Sequence, residues 1–278
     1  MASDVKRVHL YHADATAFGG HIKTPFEQLI PTVAPVSLSP VGGYVSARAE
    51  RFRVEGIVSF ESAHTQVAGS TNHPTGGWTT LATSVVEGLN ILNVVTADRL
   101  VAQIATEHPA VGYNPKITLI GTQFENLRIG GRPVEVEIDL DLCDQDAGKD
   151  GFPQEPLFEE DAFRSAAAEQ YRGMSSLPKW VKDSAVPAWV KERYTWDNGQ
   201  LQKRAGVLCS VVTQVRGEFP GRPFGNVLDI PEIGKIFLGE FLVDHNTYRL
   251  IAIRAELGCA TKGALAAGVV NIEGSTYP

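Results

Sequence analysis

Across residues 44–70 apolar and polar positions alternate, Val45, Ala47 and Ala49 against Ser46, Arg48 and Glu50, continuing through Phe52, Val54, Ile57, Val58 and Phe60. A strand sends successive side chains to opposite faces, so this period of two predicts a long strand or a hairpin. Residues 78–108 are rich in Thr and Val, with Gly88 and Asn93 as bends, and predict two more strands. A helix competes for residues 97–106. Apolar runs at 117–120, 124–129 and 134–142 follow, the last two flanking Gly130-Gly131, where a two-residue hairpin turn needs positive φ. The C-terminal part adds candidate strands at 207–215, 235–243 and 248–257, the last two joined through Asp244-His245-Asn246-Thr247, and a final one at 264–272.

Between the two β-rich parts, residues 151–204 change character. Pro153, Pro156, Pro178 and Pro187 punctuate them, and residues 159–172 combine Ala and Glu with Phe163, Ala166, Ala167 and Tyr171 at helical spacing. Two related motifs follow, Pro178-Lys179-Trp180-Val181-Lys182 and Pro187-Ala188-Trp189-Val190-Lys191, each opened by a proline that suits the first turn of a short helix. About ten strands broken by one mixed segment predict a mainly β chain: a single domain over residues 1–278, an antiparallel sandwich or jelly-roll, with 151–204 as a helical insertion.

Composition is that of an ordinary globular chain, 278 residues with 43% hydrophobic and 21% charged. A net charge of −7 offers no general attraction to nucleic acid, which is therefore not expected as a partner. The longest apolar runs are interrupted by charges, as at Glu240, so no membrane span is predicted. The N-terminal residues lack the continuous apolar stretch of a signal peptide, which predicts a cytoplasmic location. Cys143, Cys209 and Cys259 are odd in number and far apart in apolar surroundings, as expected of reduced core residues.

The stretch Gly77-Trp78-Thr79-Thr80-Leu81-Ala82-Thr83-Ser84-Val85-Val86-Glu87-Gly88-Leu89-Asn90-Ile91-Leu92-Asn93-Val94-Val95-Thr96-Ala97-Asp98, with the later phrase Phe124-Glu125-Asn126-Leu127-Arg128-Ile129-Gly130-Gly131-Arg132-Pro133-Val134, resembles bacterial choice-of-anchor P-type β proteins. The resemblance covers residues 78–136. It implies a surface-associated, β-rich adhesive or structural module and carries over no catalytic residue. This chain departs from the pattern in having neither an export signal nor a C-terminal hydrophobic anchor.

Acidity is the most uneven feature. Residues 134–160 hold Glu135, Glu137, Asp139, Asp141, Asp144, Asp146, Asp150, Glu155, Glu159 and Glu160 against Lys149 alone, a net −9, so the remainder of a −7 chain is +2. As a strand, this segment puts Glu135, Glu137, Asp139 and Asp141 on one face, the blander reading being a solvated face paired with Lys or Arg on a neighbour. Asp144, Asp146 and Asp150 in a glycine-containing loop partly match a calcium loop, hard oxygen donors at alternating positions, although Gly148 stands where the pattern wants a fifth-position acid. Trp180, Trp189, Tyr194 and Trp196 could stack on a sugar, with nearby carboxylates polarising it, or simply anchor the insertion. Seven histidines form no metal motif and read as surface or satisfied core residues; His9 and His12 should face opposite ways. Ser84, Ser210 and Cys209 lack a nucleophile-elbow context. The sequence therefore predicts a non-enzymatic structural or interaction protein that forms homo-oligomers, with a carbohydrate-binding module or sugar-processing enzyme as the alternative.

Overall fold

The computed structural model describes residues 7–54, 56–72, 76–146, 148, 151–175, 196–197, 200–201, 206–258 and 260–277, with backbone alone at 172–175, 196–197 and 200–201. Two antiparallel sheets pack face to face. The first is a meander of four long strands, Gly43–Val54, Val58–Asn72, Gly77–Ile91 and Val95–His108, extended beyond the last by the short strands Lys116–Thr118, Gln123–Glu125, Arg128–Ile129 and Arg132–Pro133. The second runs Arg222–Phe224, Val227–Ile230, Gly234–Asp244, Thr247–Gly258, Lys262–Glu273, Ala13–Thr24 and Gln28–Val33 in spatial order. Val207–Ser210 also pairs with Gly234–Asp244, and Val36–Ser37 with Ala13–Thr24. The predicted β-sandwich with a helical element is thus what forms. Residues 97–106 are strand throughout, because Val95–His108 is paired along its whole length with Gly77–Ile91.

Each long strand changes its inward phase once. In Val58–Asn72 the core-facing residues are Val58 and Phe60, then Ala63, Thr65 and Val67. In Gly77–Ile91 they run Thr80 to Val86 in steps of two, then Leu89 and Ile91. In Val95–His108 they are Val95 and Ala97, then Leu100, Ala102 and Ile104. The slips lie side by side, since Ser62 pairs with Glu87 and Glu87 with Arg99. On the outer surface the same row carries a polar ladder: Ser62 Oγ donates to Glu87 at 2.5 Å, and Arg99 lies 4.0 Å from Glu87 and 3.5 Å from Glu125. Gly88 and Asn93 are bends, as expected: the φ of +66° at Gly88 bends the strand from within while pairing continues on both sides, and the connecting turn is made by Leu92 and Asn93, both at positive φ.

The second sheet repeats the device. Leu238 then Phe241, Leu250 then Ile253, Ala267 then Val270, and Ala15 then Phe18 are successive inward residues, all in one row by register. Its bend brings Gly268, at φ +65°, onto the first sheet: a Cβ built there would stand 2.9 Å from Ala252 Cβ and 3.7 Å from Ala102 Cβ. Opposite lie Thr65, Ser84 and Ala102, neighbours by register and each fully buried. Ser84 Oγ donates to the Thr16 carbonyl at 3.0 Å, and Thr65 Oγ1 to the Ala34 carbonyl at 2.6 Å. Small side chains let the sheets meet here, and the two hydroxyls find backbone carbonyl partners in the buried seam. Larger residues, among them Phe18, Leu100, Ile104, Phe241 and Leu89, fill the core to either side.

Gly268→Ala should lower unfolding stability by about 3 kcal/mol, the sum of left-handed strain and overpacking. Gly131→Ala, at φ +78° with nothing within 4 Å of the new methyl, should lose only about 1–2 kcal/mol. Urea denaturation of both variants checks this, and equal losses would contradict the seam.

Candidate functional site

The acidic segment begins as the strand Glu135–Ile138, paired with Val212–Arg216. Arg216 meets Glu137 at 2.7 Å, so the expected basic partner on the neighbouring strand is present. The alternation then fails: the register shifts between Glu137 and Ile138, Asp139 leaves the strand with its carboxylate accepting the Asp141 N–H at 3.0 Å, and Leu140 is exposed. The four carboxylates therefore do not form one continuous strand face. The backbone turns in before the third because a bulge inserts an unpaired residue.

Where the strand ends, a groove opens against the helix Asp161–Ser175. Its volume is about 560 Å³, and Glu137, Asp139, Glu169, Gln170, Thr213, Gln214 and Asn226 supply its polar lining. The helix starts as its sequence predicts, with Glu160 accepting the Phe163 N–H at 2.5 Å as a cap and Asp161 in the first turn. Its apolar side seats Phe163 edge-on to Phe241, with ring centroids 6.5 Å apart. Gln170 fixes its far end. The amide donates to the Ser210 carbonyl at 2.7 Å and accepts the Ser210 N–H at 2.9 Å, imitating a strand neighbour where the chain passes from Val207–Ser210 to Val212–Arg216. Ser210 Oγ is spent on the Leu238 carbonyl and the Val212 N–H, each at 2.8 Å, which leaves it no role as a nucleophile. Asn226, 2% exposed, donates to the Leu238 carbonyl at 2.9 Å while its Oδ1 has no hydrogen-bond partner. Such a groove offers acceptor oxygens from three carboxylates beside three side-chain amides, a lining for hydroxyl-rich or cationic groups.

The other predicted positions lie elsewhere. Asp144 and Asp146 are exposed on the turn that follows Leu142, and Asp150 lies outside the described residues. Among the described residues no three His, Cys, Asp or Glu side chains converge on a point that could hold a metal ion. Trp180, Trp189 and Tyr194 also lie outside the described residues, as does the side chain of Trp196, whose backbone pairs with Leu201. Cys143 and Cys209 are free and buried, and burial pushes both thiols up, away from a reactive thiolate.

Sequence reading missed one cluster. His9 and His108, ninety-nine positions apart, lie with ring centroids 4.4 Å apart and are 5% and 3% exposed. His12, as expected, faces out, between Asp14 at 3.2 Å and Glu273 at 2.9 Å. The buried pair corrects the expectation of satisfied core histidines: His9 Nε2 and His108 Nδ1 have no hydrogen-bond partner. Only pairing of the two termini brings them together, and local spacing cannot signal that.

Fold and groove define an antiparallel β-sandwich protein carrying a polar cleft beside its helix. Residues 9–244 match the family described as a domain of unknown function (DUF8256), and the chain belongs to that family. No curated protein matches it. No helix of the described residues is long and apolar enough to cross a membrane.

Gln170→Leu should lower stability by about 2 kcal/mol, because the Ser210 N–H and carbonyl both lose their partners under a side chain of similar size. Urea denaturation measures this, and a change below about 0.5 kcal/mol would show that the helix is held by apolar contacts alone.

Proposed function

We propose that this chain is a non-enzymatic structural or interaction module that self-associates. The observation that supports the reading is the outer edge of the first sheet. Gly43–Val54 is twelve residues long and pairs on one side only among the described residues, with Val58–Asn72. An unpaired strand edge is a template for another strand. Arg51, at φ +52°, kinks that edge and Arg53 adds charge beyond it, which confines continuous pairing to the Gly43–Glu50 half. Within that half, Arg48 and Glu50 sit 3.2 Å apart, both exposed. Two antiparallel copies paired through that half would be centred between Ser46 and Ala47, with Glu50 of each opposite Gly43 of the other.

A second reading rests on the groove at Asp139, Glu169, Gln214 and Asn226. Its oxygen-rich lining suits a hydroxylated ligand such as a glycan, with binding rather than hydrolysis as the function.

Analytical ultracentrifugation at micromolar concentration, in low and high salt, separates the readings. Self-association through this edge predicts a dimer or larger species in both conditions. A strict monomer in both conditions, together with binding on a glycan array that Asp139→Asn abolishes, would overturn the first reading in favour of the second.

A further inference from the structure

The N-terminal strand Val8–Leu10 pairs with only one partner, the C-terminal strand Ser275–Tyr277, through three residue pairs. This ribbon lies over one end of the sandwich. Its inward residue is His9, whose ring stacks on Trp78 at 5.3 Å, meets Tyr11 edge-on at 4.6 Å and touches His108. His9 Nδ1 is 3.0 Å from Thr276 Oγ1, and the His108 ring bonds to the Gly274 backbone. Gly274 closes the cluster tightly, for a Cβ there would stand 3.0 Å from Cε1 of each histidine. Nothing in that packing leaves room for the hydration an imidazolium needs.

The charges around the cluster do not compensate. On the N-terminal strand's own side, Arg7 donates to the Gly112 carbonyl at 2.7 Å and lies over the Tyr113 ring. Beyond Tyr11, His12 is held outward with Asp14 and Glu273. On the strand that carries His108, Glu107 is turned to the opposite face and accepts from Asn72 at 2.8 Å, with Lys116 as its cross-strand neighbour. Strand Gly77–Ile91 contributes Trp78, Val58–Asn72 contributes Thr71 as the hydrogen-bond partner of Tyr11, and the loop 109–115 contains no charged residue. The rings therefore face neutral groups and each other.

We propose that the paired termini are an acid-released strap: when His9 and His108 take up protons, the ribbon lifts from the end of the sandwich while the two sheets stay folded. Burial lowers His9 from 6.5 to about 4, and burial together with repulsion from His9 lowers His108 to about 3. Released, both rings return toward 6.5. Between pH 6.5 and 4 the open form thus binds protons that the closed form does not, so the strap is fully held above pH 6.5 and weakens as pH falls. At about pH 5 each histidine favours opening by roughly 30-fold and the two together by roughly 1000-fold relative to neutral pH.

Hydrogen exchange of the wild-type protein, corrected for the intrinsic pH dependence of the chemistry, provides the test. Peptides covering residues 7–12 and 273–277 should lose close to 1000-fold in protection between pH 7.5 and 5, whereas a peptide covering residues 80–86 keeps its own. His9→Gln and His108→Gln should each reduce the loss to about 30-fold, and His12→Gln should leave it intact. Retained terminal protection at pH 5, or equal loss in the core peptide, would overturn the proposal. Should either variant fail to fold, imidazole NMR of the wild type decides: rings that titrate near 6.5 while the strap stays protected defeat it, and rings that stay neutral until the strap opens support it.

Discussion

The structure depends on how closely its two sheets approach along one seam. Ala102 on the first sheet faces Gly268 on the second, beside Ala252, and its register neighbours Ser84 and Thr65 face Thr16 and Ala34. The two buried hydroxyls there need acceptors, and backbone carbonyls supply them. Ser84 and Thr65 reach across to the carbonyls of Thr16 and Ala34, tying the second sheet and the segment after Val33 to the first. A serine or threonine in an all-β core is costly without such a partner, and Ser84 and Thr65 each have one.

The bends follow from the seam. Sheets that touch in the middle and hold phenylalanines and leucines to either side must curve, and each long strand does so through a one-residue change of phase in register with its neighbours. One consequence is on the surface, where the bend in the first sheet turns two successive residues outward and so creates the Ser62, Glu87, Arg99, Glu125 ladder. Another is that both faces of part of the second sheet are covered. Phe241 packs toward the helix, and Arg254 lies over the Phe237 ring while pairing with Glu240, which is 5% exposed.

Much of the fold is legible in the chain, because period-two alternation is a local property of a strand. The hairpins 44–70 and 78–108 and the three C-terminal strands are found close to their observed limits. The helix is found too, from the spacing of Phe163, Ala166 and Ala167. What misleads is whatever breaks the period for a long-range reason. The alternation of Glu135 to Asp141 reads as one strand face, since the bulge after Glu137 is set by Val212–Arg216, more than seventy residues away. Likewise Gln170, Asn226, His9 and His108 are ordinary residues in sequence, and each acquires its role from a partner that only the folded topology supplies. Acidic content marks the neighbourhood of the groove, but three of the seven polar residues that line it, Thr213, Gln214 and Asn226, lie on the other side of the insertion.

The seam can be tested on the intact protein by a methyl-resolved nuclear Overhauser measurement between Ala102 and Gly268. The sheets as paired here place the Ala102 methyl against the Gly268 α-protons, across 166 positions of sequence, and predict a strong cross-peak between them. Its absence, with Ala102 instead contacting large aliphatic side chains of the second sheet, would contradict the close approach and with it the arrangement of both bends.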